Sequence, residues 1–327
     1  MKHRILGKSD IRVSALGLGC MGMSGGIYGK PDEAASLKTL HRAFELGINF
    51  FDTADMYGAG HNESFVGAFL KPLRNEVIIS TKCGIVFEGD GIARNGSKAY
   101  IKQACEASLK RLGIEAIDLY FLHRMDPLVA IEDSMEAMRE LLAEGKIRSV
   151  GVSEVEADII KRAHTIVPIT AVQSEYSILF RKAAEAVLPT CRDLGIAFVP
   201  FSPIGRGFLT GVIQSTDWMA SDDFRRSLPF LQEGNITHNF ELVQALSSIA
   251  KQQNRTPAQI ALAWLLAQDP QIIPIPGTTR MEHLEENIQA VDIELSSHEI
   301  AQLGAVCHEA AVKGGRFPDA LQGWFVK

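Results

Sequence analysis

Short apolar runs alternate with longer amphipathic stretches along most of the chain. Residues 15–20, 48–52, 77–82, 118–123, 147–153, 171–176, 196–202 and 272–276 are short segments that each contain neighbouring apolar residues, and together they predict strands buried on both faces of a parallel sheet. Helical periodicity fills the intervals, over residues 32–46, 63–70, 98–112, 131–144, 157–163, 183–194, 240–252, 257–267 and 282–291. In the first of these Leu37, Leu40, Ala43 and Phe44 share a face, and Asp32 behind Pro31 supplies a start. Eight strand–helix units with no break in composition predict one (β/α)8 barrel, a TIM barrel, as a single domain over residues 1–327. A short N-terminal hairpin over residues 5–13 precedes it, and a C-terminal helix and tail follow Leu295. A doubly wound sheet is the competing arrangement. Residues 203–238 lack periodicity and are too long for an ordinary connection, so they are expected to form a functional loop.

At 327 residues and 46% hydrophobic content, the chain can bury a large core. Lysine and arginine total 33 against 39 acidic residues, a formal net charge of −6. No basic field exists to hold a phosphate backbone, so nucleic acid is not an expected partner. The opening MKHRILGKSD has basic residues with no apolar stretch behind them, and no later run approaches the roughly 18 apolar residues of a membrane span. A cytoplasmic protein without a membrane partner is expected. The five cysteines, Cys20, Cys83, Cys105, Cys191 and Cys307, are scattered with no C-x-x-C pair, which predicts reduced thiols and no metal site.

Residues 17–22 read GLGCMG, the G-x-G-x-x-G spacing of a dinucleotide-binding turn. Context argues against that architecture. A fingerprint turn opens directly into a helix, whereas here a loop over residues 23–31 intervenes. The first acid to end a second strand, Asp52, also lies well past the roughly 20-residue offset of the motif. The run reads instead as the end of barrel strand one.

Active-site groups of such a barrel project from the C-terminal strand ends. Strand two ends NFFDTADMYG, strand three IISTKCG and strand four LYFLHR, so three apolar runs close with Asp52, Lys82 and His123. Singly, each has an ordinary explanation: a turn cap, an exposed strand end, a satisfied core histidine. Together they are neighbours on one rim, where a half-buried charge needs a partner. Tyr57 lies in the same rim loop as Asp52.

With these residues the chain closely resembles the aldo-keto reductase family. The segments GKIRSVGVSE, AVQSEYS, VPFSPIGRGFLTG and IIPIPGTTRMEHLEEN extend the resemblance in the family's order over nearly the whole chain. It implies reversible NADPH-dependent reduction of a small-molecule aldehyde or ketone, with Asp52, Tyr57, Lys82 and His123 as the catalytic set. Hydride arriving at a carbonyl carbon leaves an alkoxide that must be protonated. Tyr57 is the expected donor, and because an unperturbed tyrosine titrates near 10, Lys82 is expected to make it a better acid. Asp52 would hold the ammonium, and His123 would orient the carbonyl.

The resemblance also places NADPH/NADP+. Phe201, where many members carry tyrosine, matches the residue that stacks on nicotinamide. Ser153 and Gln173 match its amide contacts; Glu154 stands where asparagine is commoner. Gly19, Cys20, Met21 and Asp52 would pack beside it. Ser202, Pro203, Ile204, Arg206 and Gly207 match the loop over the pyrophosphate. Gly277, Thr278 and Thr279 precede a helix N-terminus, a ready anion site. Arg280 would grip the 2′-phosphate, with His283, Glu286 and Asn287 toward the adenine.

Met23, Tyr28, Met125, Trp218, Phe317 and Trp324 are expected to wall an apolar substrate pocket. A regulatory subunit of a membrane channel built on the same fold is the alternative function, and a barrel enzyme acting on phosphorylated sugars is a further one. The oligomeric state is left open.

Overall fold

A computed structural model gives the structure of the protein and describes residues 1–89, 91–306 and 311–324. Strands β1 (His3–Ile5) and β2 (Arg12–Ser14) pair antiparallel as the N-terminal hairpin. Leu6 and Val13 of this hairpin join the barrel's inner core. The barrel follows as β3 (Leu18–Gly19), α1 (Glu33–Glu45), β4 (Phe50–Asp52), α2 (His61–Leu70) and β5 (Ile78–Cys83). A second hairpin, β6 (Ile85–Glu88) and β7 (Gly91–Arg94), stands between β5 and α3 (Lys98–Leu112). Then come β8 (Leu119–Leu122), α4 (Ile131–Ala143), β9 (Val150–Ser153), α5 (Ala157–Ile166), β10 (Ile169–Glu175), α6 (Lys182–Leu194) and β11 (Ala197–Phe201). Helices α7 (Asn235–Gln252), α8 (Pro257–Gln268), α9 (Met281–Ile288) and α10 (Ser297–Val306) complete the described order.

Seven parallel strands form one sheet in the order β11-β10-β9-β8-β5-β4-β3. Residues 271–277 bridge its two ends and close a (β/α)8 barrel, although this eighth segment, expected as a strand, is not a regular one. Its prolines explain why. Ile273 N and Ile275 N donate to Phe198 O and Pro200 O (2.8 and 3.0 Å), and Gly17 N and Gly19 N donate to Pro274 O and Pro276 O (2.9 and 3.3 Å). Pro274 and Pro276 have no N–H to return toward β3, so the ladder on that side is half made.

The inner core, with Phe50, Leu119, Phe121, Val199, Ile273 and Ile275, fills the barrel, while a larger layer lies between strands and helices. The expected helix starts hold where a cap is present: Asp32 accepts from Ala35 N, and Thr256 with Gln259 forms a capping box. Residues 203–238 contain three short 3-10 turns. Among the described residues no helix is long and apolar enough to cross a membrane. Cys20, Cys83, Cys105 and Cys191 are free and buried; Cys307 lies outside the described residues.

Candidate active site

Parallel register brings the strand ends together: Asp52 sits opposite Ser80, and Lys82 opposite Phe121. Lys82 is fully buried, and its Nζ donates to Asp52 Oδ2 (2.6 Å), Thr53 O (2.6 Å) and Tyr57 Oη (3.4 Å). An ammonium has three N–H groups, so all are used. Asp52 Oδ1 in turn accepts from Ser80 Oγ (2.8 Å) and Gln173 Nε2 (2.9 Å). Tyr57 opens a 3-10 turn, Tyr57–Gly60, whose next three residues have φ of 56°, 52° and 89°. Asn62 pins this turn: its Nδ2 donates to Cys20 O and Ser24 Oγ (both 2.9 Å), and its Oδ1 accepts from Thr53 Oγ1 (2.6 Å). His123 completes the group, its ring edge-on to Tyr57 with centroids 5.9 Å apart.

Burial works against the Lys82 ammonium, but Asp52 and Tyr57 outweigh it and hold its pKa above 10.5. Burial also pushes the Tyr57 hydroxyl above 10, and Lys82 offsets this only in part. Lys82 does pull the Tyr57 pKa down, as expected, but desolvation of the phenolate outweighs it, so the hydroxyl stays above its ordinary value. Burial first, then Arg124 and Lys82, drives His123 well below 6.5. The imidazole is neutral at physiological pH, and its buried Nδ1 has no hydrogen-bond partner among the described residues.

The other expected residues fall in two groups. At the barrel mouth, Phe201 is half-buried against the inner core, and Ser153 Oγ accepts from Arg124 Nη1 (2.9 Å). The buried Cys20 thiol faces Leu18 O (3.6 Å), and Met21 begins a short turn. Ser202, Pro203 and Ile204 lead into the turn Gly205–Thr210, which contains Arg206 and Gly207. Arg206 is buried and donates to Glu175 Oε2 (3.0 Å).

Across the Gly19–Gly277 bridge lies the second group. A Cβ on Gly19 would stand 2.9 Å from Ile275 O, so no side chain fits there. Thr278, Thr279 and the exposed Arg280 lead into α9, whose first turn carries the exposed His283. Glu286 accepts from Thr256 Oγ1 (2.6 Å), and Asn287 is buried. Met23, expected on the pocket wall, is fully buried in the outer core layer instead.

A buried ion network at the mouth escaped the sequence reading. Glu175 pairs with Arg206 and lies 3.8 Å from Arg316, which is 3.7 Å from Glu154. Burial raises the Glu175 carboxyl above its usual range, against the pull of both arginines. The signal was available. Glu175 is an ionisable residue at the C-terminal end of β10, as Asp52 is at the end of β4.

A parallel barrel with tyrosine, lysine, aspartate and histidine gathered at its strand ends has the architecture of the carbonyl-reducing barrel oxidoreductases. The model of the Aldo/keto reductase family matches residues 15–307, and the chain belongs to that family. A protein from Glycine max described as probable aldo-keto reductase 1 is 41% identical over 320 residues, covering 97% of this chain and 92% of that one. The glycerol dehydrogenase AKR11B4 from Gluconobacter oxydans superposes with a TM-score of 0.85 at 26% identity, covering 93% of this chain and 94% of that one. The aldo-keto reductase AKR11C1 from Bacillus halodurans, solved in its holo form, gives 0.78 at 32% identity, covering 94% of this chain and 97% of that one.

Proposed function

We propose that the protein reduces aldehydes or ketones to alcohols with NADPH, and that Tyr57 donates the proton. One observation carries the reading: the Tyr57 hydroxyl accepts from the Lys82 ammonium, which leaves its own proton to give. The residues present fit the cofactor. Phe201 offers a flat apolar face at the mouth, and the exposed Arg280, which forms no ion pair among the described residues, stands at a helix N-terminus. Glu154, Ser202 and Arg206, at the strand ends and in the loop beyond, hold φ near +50° to +57°; such strain in non-glycine residues gathers at ligand sites.

NADPH supplies the hydride when bound. The protein's part is to hold the carbonyl oxygen near Tyr57 and to deliver a proton to it as negative charge develops. Neutral His123 can donate one N–H to the same oxygen. The phenolate left on Tyr57 is stabilised by Lys82, whose charge Asp52 maintains, and is reprotonated from solvent. The raised Tyr57 pKa serves this step, since the hydroxyl stays protonated until the alkoxide forms.

The test follows NADPH absorbance with simple alkyl and aryl aldehydes. Tyr57→Phe is expected to lower kcat roughly a thousandfold while NADPH still binds, and full activity in this variant overturns the assignment. Arg280→Ala should raise KM for NADPH about tenfold or more with little effect on KM for NADH; an equal effect on both removes Arg280 from the 2′-phosphate.

A further inference from the structure

Between Lys82 and His123 the rim carries an element that this chemistry does not use. β5 passes Lys82, ends at Cys83 and, after Gly84, enters the β6–β7 hairpin. Gly84 lies at φ +113°, and a Cβ there would be 3.3 Å from Arg124 O and 3.7 Å from His123 N. The hairpin base is thus seated on the backbone beside His123. Asn95 N donates to Gly84 O (3.1 Å), and Gly96 N donates to Asp126 Oδ2 (3.0 Å), which fixes the base to the loop after β8.

In the hairpin register Ile85 opposes Arg94, and Phe87 opposes Ile92. Side chains alternate along a strand, so these four share one face. Ile85 at the root is 7% exposed, whereas Phe87 is 59% and Ile92 40% exposed. Arg94 shows where that face points. Its guanidinium lies 4.7 Å over the Trp324 ring, and its Nη1 donates to Gly323 O (3.0 Å). The same C-terminal segment places Phe317 under Arg206, and Arg316 beside Glu154 and Glu175, at the barrel mouth. The uncovered apolar face is therefore turned toward the segment that crosses the mouth, and Trp324 extends it.

We propose that Phe87, Ile92 and Trp324 form an apolar wall for the substrate. The class it favours is carbonyl compounds with an extended apolar portion, an alkyl chain or a fused aryl system, reaching from Tyr57 onto the hairpin. The proposal rests on the reductase reading above. Contiguous exposed apolar side chains bordering a site mark a binding surface. At about 3.3 Å per residue, the four residues of β6 extend on the order of 10 Å beyond Gly84, a span that a short aldehyde leaves untouched.

The test compares kcat/KM for decanal and propanal in the wild type, in Phe87→Ala/Ile92→Ala and in Trp324→Ala, with thermal melts as a check on folding. The decanal-to-propanal ratio is expected to fall about tenfold in the double variant and to fall in Trp324→Ala; an unchanged ratio overturns the wall. A second measurement needs no turnover: fluorescence titration with 2-naphthalenemethanol should show weaker binding to the double variant, and equal binding overturns the proposal. A wild type that reduces neither aldehyde refutes the reductase reading, and the titration then decides the wall alone.

Discussion

At the scale of single residues, the rim shows how little a side chain's type says until its surroundings are known. Asp52, the last residue of β4, and Asp55, in the loop after it, lie three positions apart. Asp52 accepts from Lys82, Ser80 and Gln173. Asp55 Oδ2 accepts from Tyr100 Oη (3.2 Å), while its buried Oδ1 has no side-chain partner among the described residues. Burial, then the nearby Glu63 carboxylate, pushes Asp55 from 3.8 up to about 7. Between those values the folded protein binds a proton that the unfolded chain does not. The stability Asp55 contributes is therefore fully present below pH 3.8 and is lost as pH rises to about 7. Asparagine, which cannot ionise, should gain on the wild type over that rise. Urea denaturation of Asp55→Asn is expected to show a ΔΔG that shifts in the variant's favour by on the order of 1 kcal/mol between pH 5 and pH 8; a pH-independent difference would rule out the buried charge as the cause.

At the scale of elements, the sequence was legible wherever one pattern had one physical cause. Strands such as β8 and β9 are buried on both faces, so their apolar runs could belong to little else. Helices with a side-chain cap were found at their caps. Legibility failed where a polar residue does a buried residue's work. Helix α7 begins at Asn235 rather than residue 240, because Asn239 is fully buried and donates to Phe230 O (2.9 Å) and Lys313 O (2.8 Å). Its amide occupies a core position and interrupts the apolar period. The β6–β7 hairpin failed for the converse reason: its apolar residues are exposed, so no alternation toward a core announced it, although EGDG at residues 88–91 is a turn signal. Asp52, Lys82 and His123 were legible because ionisable groups ended apolar runs, and Tyr57 through the loop that follows Asp52, whereas Glu175, behind the polar Gln173 and Ser174, went unread although it ends β10.

At the scale of the whole molecule, the barrel has a seam, and the seam joins its base to its proposed cofactor site. Residues 271–277 hold β11 by a nearly regular ladder, whereas on the other side Gly17 N and Gly19 N donate to Pro274 O and Pro276 O and a single bridge joins Gly19 to Gly277. The start of the seam is clamped by Arg4 of the N-terminal hairpin, which donates to Leu266 O and Asp269 O (both 2.8 Å) and to Ile272 O. The far end runs into Gly277 and Arg280, where the phosphate of NADPH would sit. Local opening follows the elements with the fewest hydrogen bonds, so amides at Gly17 and Gly19 should exchange faster than those of β9, which pairs on both sides. Replacing Arg4 by methionine takes a donor from three carbonyls, of which Asp269 O keeps Ile272 N, at a cost of about 1–3 kcal/mol. Hydrogen–deuterium exchange should then quicken over residues 15–20 and 271–277 before it changes in β8 and β9, whereas uniform acceleration would mean that the barrel opens as a whole. Saturating NADPH, bound at the other end of the same seam, should slow those two segments first, because a ligand stabilises the state that binds it.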